Sequence, residues 1–214
     1  GRLYILQTRS AKRTATAAVR VAVEMVQERL IDAADALVRV EPEQIDQLLH
    51  PTLDPAATYE VLSTGLAASP GAAFGKVVFD AETAARLGAA GERIVLVRAE
   101  TSPDDIHGLV AALGIVTAHG GIASHAALVA RGMGKPCVAS CEGLVIDEAA
   151  GTATIAGVAL AEGDVLTVDG TGGRVIRGGV QLRPAGIDAY LATLLGWADD
   201  VAEVVVRANA DTPQ

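Results

Sequence analysis

The sequence predicts an α/β domain, and three observations lead there. Short apolar runs, such as Ile94-Val95-Leu96-Val97 and Ile115-Val116, are separated by amphipathic helix patterns. Half of the 214 residues are hydrophobic but only 3% are aromatic, so the core is expected to be aliphatic and tightly packed. Glycine and proline punctuate the segments, as the turns between strands and helices require.

Taken in order, residues 14–30 read as an amphipathic helix, with Thr14 as N-cap and Val19, Ala22, Val26 and Leu30 at helical spacing. A short helix is expected over 41–50, stopped by Pro51, because the residue before a proline is pushed out of the α region. Residues 51–63 behave as a linker. Ser69-Pro70-Gly71 turns into a strand over 72–79, followed by a helix over 80–87 and a buried strand over 93–97. Thr101-Ser102-Pro103-Asp104-Asp105 is a helix start: a hydroxyl to cap, proline in the first turn, and acids at the positive end of the dipole.

A strand over 115–118 then leads through Gly120-Gly121 into a helix to about Ala130, closed by Gly132 and Gly134. Beyond Cys141 come short β pieces over 152–156, 165–169 and 174–176, expected to form one sheet layer. Residues 184–204 read as mostly helical. Strand patterns over 3–7 and 204–208 suggest that both ends cut through structure, so a fragment is expected.

The formal charge of −9 argues against nucleic acid, whose phosphates require clustered Lys and Arg. No apolar run approaches the roughly 18 to 20 residues of a membrane span, and no basic-then-apolar signal opens the chain, so a cytoplasmic protein is expected. Cys137 and Cys141 match neither a redox pair nor half of a zinc site, and are expected to be ordinary buried thiols. No metal site is visible.

Chemistry concentrates in Gly120-Gly121-Ile122-Ala123-Ser124-His125-Ala126-Ala127-Leu128-Val129-Ala130-Arg131. The glycines let backbone approach a ligand closely, and the first turn of the following helix offers unpaired N–H groups and a positive dipole end. His125 sits at that end, where a neutral imidazole is a nucleophile toward phosphorus. The local pattern leaves a second reading open, with Ser124 a helix cap and His125 a surface histidine. A Ser124–His125 hydrolytic pair is disfavoured, since sequence neighbours on a helix do not face one another.

This segment resembles the phosphohistidine signature of the phosphoenolpyruvate-utilising enzymes, Gly-Gly-x-Thr-x-His-Ala-Ala followed by two hydrophobic residues, Ala and Arg. The continuation Gly132-Met133-Gly134-Lys135 and the upstream Glu100-Thr101-Ser102-Pro103-Asp104-Asp105-Ile106-His107-Gly108 are similar to its pyruvate, phosphate dikinase branch. Flanking segments are similar to that branch as well. They are Leu6-Gln7-Thr8-Arg9, Val40-Glu41-Pro42-Glu43-Gln44, Ser69-Pro70-Gly71 and Ala208-Asn209-Ala210-Asp211.

The resemblance implies a swivelling β/β/α phosphohistidine domain over 62–178, with helical linkers over 14–61 and 179–204. Residues 1–13 would end a nucleotide-binding domain and 205–214 would begin a pyruvate/phosphoenolpyruvate barrel. It implies His125 as the phosphoryl carrier and Gln7 and Arg9 as nucleotide contacts; from their own positions, Thr101 at a strand end and Gly120, Gly121 and Ser124 at the helix start are expected to support the phosphate. ATP, inorganic phosphate and pyruvate or phosphoenolpyruvate would be met through the flanking domains, with Mg²⁺ held outside this chain. The piece alone is expected to be monomeric and unable to complete turnover.

Two positions depart from the pattern. Ala123 replaces the Thr that carries inhibitory phosphorylation in regulated members, so that control is excluded at position 123, and His119 stands where Arg is more usual. Two other readings stay open: the carrier domain of a phosphoenolpyruvate synthase-like enzyme, and a non-catalytic domain that binds partners. Dependence on inorganic phosphate separates the first from the dikinase reading, and failure to accept phosphate would favour the second.

Overall fold

A computed structural model describes residues 7, 13–147 and 150–204. The strand expectations over 3–7 and 204–208 therefore fall almost entirely outside the described residues, as do Arg9 and residues 208–214. Two compact units are present, one formed by Gly1–Leu48 with Ile187–Gln214 and the other by Leu49–Gly186.

In the first unit, α1 (Ala15–Gln27), α2 (Ala33–Val38), α3 (Pro42–Leu48) and α7 (Ala189–Val201) share one small core. Thr14 Oγ1 accepts from the Ala17 amide and caps α1, whose Val19, Ala22 and Val23 bury against Ala36, Leu191 and Leu194. The helical segments expected on either side of the central domain thus pack with one another. Helix α2 was not foreseen. It is six residues long and follows Arg29, whose φ of 60° turns the chain after α1.

The second unit has three layers. Its middle layer is an eight-stranded sheet in the order β2-β12-β11-β4-β5-β6-β7-β3. The strands are β2 (Val61–Thr64), β3 (Leu66–Ser69), β4 (Ala72–Val78), β5 (Ile94–Arg98), β6 (Gly114–Thr117), β7 (Cys137–Ala139), β11 (Val165–Asp169) and β12 (Arg174–Arg177). The central run β4-β5-β6-β7 is parallel and the flanking pairings are antiparallel. Parallel strands buried on both faces read as continuous apolar sequence, which is why the runs at 94–97 and 115–116 were legible.

Alternate residues of these strands serve different cores. Val95, Val97, Val116 and Val138 face a three-stranded antiparallel sheet of β8 (Leu144–Asp147), β9 (Thr152–Ile155) and β10 (Val158–Ala161). Ile94, Leu96, Ile115 and Cys137 face α4 (Ala81–Ala89), α5 (Ile106–Ala111) and α6 (His125–Gly132). The architecture is β/β/α, the fold class the sequence implied.

The β pieces after Cys141 do not form one layer. Strand β9 is buried only at alternate residues and pairs within the outer sheet, whereas β11 is buried at four consecutive residues and joins the large one. A two-residue turn closes the β9–β10 hairpin, with positive φ at Ala156 (49°) and Gly157 (83°), as a type I′ turn requires. The unit also exceeds the expected span of 62–178. Thr52–Leu53 (β1) pairs antiparallel with Leu182–Arg183 (β13) and draws both flanks in.

Candidate functional site

The site is assembled at the carboxyl ends of β5 and β6, the edge where ligands bind in parallel α/β sheets. The loop after β5 carries Thr101. It is held by Arg98, which donates from one terminal nitrogen to the Phe79 carbonyl (2.9 Å) and lies 3.6 Å from Asp105 Oδ1 with the other. Asp105 Oδ2 accepts from the Ser102 amide at 2.8 Å and closes the turn into the short helix at Pro103–Asp105.

The loop after β6 carries Gly120-Gly121 and delivers the chain into α6. Ser124 has extended backbone, and its hydroxyl accepts from the Ala127 amide at 3.4 Å, so it is the N-cap. His125 is therefore the first residue of the helix, beside the amides and dipole end that favour an anion. Ala126, Ala127 and Ala130 bury the opposite side of α6 against Ile115 and Ala139, fixing the helix on the sheet.

Gly120 has a φ of 114°, and a Cβ there would lie 3.0 Å from the Ser124 Cβ and 3.1 Å from its hydroxyl. Both backbone and space call for glycine at this position. Gly121 is different: it is exposed, a Cβ would meet nothing within 4 Å, and its carbonyl accepts from the Ser124 amide at 2.9 Å.

Three polar side-chain atoms at this edge are buried without a protein partner: His125 Nε2, Thr101 Oγ1 and Thr117 Oγ1. Thr117 is 1% exposed and ends β6. Two residues along β6 from Ile115, it shares that residue's face, the one α6 covers. A buried hydroxyl left unpaired costs about 1–3 kcal/mol, and Thr101 and Thr117 keep that donor capacity at the sheet edge where α6 begins. Thr117 was not singled out from the sequence. Its only signal there was its place at the end of an apolar strand.

The remaining residues fall around this edge. Arg131 folds back along α6: its Nε donates to the Ala127 carbonyl at 3.2 Å and a terminal nitrogen donates to the Ile122 carbonyl, tying helix to loop. His107 and His119 are exposed, and Gln7 is exposed in the other unit. Cys137 and Cys141 are buried free thiols, and burial pushes the Cys137 pKa up to about 12. Among the described residues no group of three or more His, Cys, Asp or Glu side chains is placed to hold a metal ion. No helix among them is long and apolar enough to cross a membrane.

Residues 90–173, which include β5, β6, the glycine loop and α6, match the family model "PEP-utilising enzyme, mobile domain". Over those residues the chain is similar to the mobile domain of the PEP-utilising enzymes. It is 46% identical over 213 residues to pyruvate, phosphate dikinase from Rhizobium meliloti (strain 1021), a match covering 100% of this chain and 24% of that protein. Identity is 48% over 216 residues to pyruvate, phosphate dikinase from Clostridium symbiosum, covering 100% of this chain and 25% of that protein. It is 48% over 214 residues to pyruvate, phosphate dikinase 2 from Oryza sativa subsp. japonica, covering 99% and 24%. The chain thus spans about a quarter of the length of these relatives. A solved N-terminal domain of nitrogen Enzyme 1 aligns over 50% of the chain at 21% identity, with a TM-score of 0.26.

Proposed function

We propose that His125 is a phosphoryl carrier and that this domain shuttles the group between two catalytic sites of a pyruvate, phosphate dikinase. The observation that carries the reading is His125 Nε2: a buried nitrogen without a protein partner at a helix N-terminus, at the edge that also holds Thr101 and Thr117. The match of residues 90–173 to a mobile domain supports it, as do dikinase relatives along the whole chain.

In the loading half-reaction, the Nε2 lone pair attacks the β-phosphorus of ATP, a P–N bond forms and the bond to AMP breaks. Inorganic phosphate then takes the terminal phosphoryl group and departs as pyrophosphate, leaving one phosphoryl group on His125. In the unloading half-reaction, the enol oxygen of pyruvate takes that group to give phosphoenolpyruvate, and the electron pair of the P–N bond returns to Nε2. Phosphoryl transfer asks a protein mainly for positioning and charge stabilisation. The amides of the first turn of α6 and the two threonine hydroxyls are donors suited to phosphoryl oxygens.

On this reading Gln7 and Arg9 contact nucleotide phosphates, Gly120, Gly121 and Ser124 shape the loop under the phosphoryl group, and the reaction runs in the cytoplasm. Mg²⁺ would supply charge neutralisation at the nucleotide. The described residues do not fit that ion, since no group of three or more His, Cys, Asp or Glu side chains among them is placed to hold it.

The test uses the full-length protein, ATP labelled at the β-phosphorus, and inorganic phosphate. Acid-labile, base-stable label on His125, formed with release of pyrophosphate and absent in His125→Asn, is the expected result. Release of inorganic phosphate in place of pyrophosphate, with no phosphate added, would instead indicate a synthase-like carrier, and label persisting in His125→Asn would refute the carrier role.

A further inference from the structure

We propose that Ser140 is a positioning residue for His125, holding the glycine loop in place through a hydroxyl presented by a strained backbone. Ser140 follows β7 and is one of few non-glycine residues with positive φ among those described, at 49°. An L-residue there costs on the order of 1 kcal/mol or more, a cost that persists only where surrounding structure imposes it. Its hydroxyl donates to the Gly120 carbonyl at 2.6 Å. Gly120 is itself left-handed, at a φ of 114°. Two unusual backbone conformations from different parts of the sequence therefore meet in one short hydrogen bond.

The next residue makes a second tie. The Cys141 amide donates to the Thr117 carbonyl at 2.9 Å, so consecutive residues after β7 grip the two ends of the segment Thr117-Ala118-His119-Gly120. On its other side the same segment is held by β5 and the loop beyond it. The Ala118 amide donates to the Arg98 carbonyl (3.0 Å) and the His119 amide to the Ala99 carbonyl (2.9 Å). The sheet ladder ends at Thr117, yet the backbone stays anchored on both flanks to Gly120, five residues before His125.

Of these anchors only Ser140 uses a side chain, and only Ser140 reaches the glycine. Cys141 and its amide would remain in place after substitution at 140, so the hydroxyl contribution can be isolated. A loop that must present Nε2 at one position to two different reaction partners gains from an anchor that does not depend on either. This inference rests on the carrier role of His125 for its functional consequence, while the loop anchor itself is independent of it.

The experiment compares wild type, Ser140→Ala and Ser140→Gly in the full-length protein by two readouts. These are amide hydrogen exchange at Gly121–Ser124 and the first-turnover rate of His125 phosphorylation from phosphoenolpyruvate. Loss of the hydroxyl should raise exchange and slow phosphorylation by roughly three- to tenfold in both variants, the scale of one hydrogen bond. Ser140→Gly also relieves the strained φ, so it should melt higher than Ser140→Ala while remaining as slow. A purely structural Ser140 predicts the reverse, with rate following stability and Ser140→Gly at least as fast as wild type; that result, or unchanged exchange in Ser140→Ala, overturns the proposal. If wild type takes no phosphoryl group, the carrier reading fails instead, and the exchange comparison alone decides whether Ser140 anchors the loop.

Discussion

Lys135 donates from Nζ to the Ala112 carbonyl at 2.6 Å and to the Leu109 carbonyl at 3.0 Å, with a further bond to Val110. One ammonium thus caps the carboxyl end of α5 from the segment just beyond α6, complementing the helix dipole there. Burial lowers the pKa of this lysine, which leaves the carbonyls as its compensation.

Replacing Lys135 with Met keeps the aliphatic stem and removes the donors. The expected cost is about 1–3 kcal/mol, lying toward the lower end because the group is only half buried. Urea denaturation should show a lower midpoint with an unchanged slope.

Thr117 offers the opposite signature. Its hydroxyl is buried and unpaired, so Thr117→Val, close in shape, should be neutral or stabilising by up to about 1 kcal/mol. Phosphorylation of His125 should nonetheless slow, since a donor to the phosphoryl oxygens is gone. A gain in melting temperature with a loss in rate checks this; a simple loss of both would place Thr117 in the packing alone.

Gly120→Ala should destabilise by about 1–3 kcal/mol, combining positive φ with a Cβ pressed 3.0 Å from the Ser124 Cβ. Gly121→Ala, where a Cβ meets nothing, should cost much less. Thermal unfolding of the two variants side by side tests the contrast.

Cys137 predicts a pH dependence. Its pKa rises from 9.0 unfolded to about 12 folded because burial disfavours the thiolate. The native state therefore holds its proton where the unfolded state has lost it. Stability should be flat with respect to this group below about pH 9 and fall between 9 and 12, by roughly 1.4 kcal/mol per pH unit. The difference between wild type and Cys137→Ala isolates the effect, and the native thiol should resist alkylation at pH 8.

What the sequence revealed and what it concealed divide along sequence distance. The α6 start was legible because its parts are local: Gly120 supplies the turn, Ser124 caps, and Ala126, Ala127 and Ala130 mark the buried side. The doubly buried strands were legible from their continuous apolar runs. Ser140 and Lys135 were not, because their partners lie 20 and 23 residues away and neither residue type signals such contacts. The outer sheet was merged with the large one because Ala153 and Ile155 look like any half-buried strand until the pairing of β9 with β8 and β10 is known.

The most direct test of His125 as carrier is a ³¹P–¹⁵N correlation spectrum of the full-length protein, labelled with ¹⁵N-histidine and mixed with phosphoenolpyruvate. One phosphoramidate signal coupled to Nε2 of His125 is the predicted result. Coupling to Nδ1, or to a histidine other than His125, would contradict it.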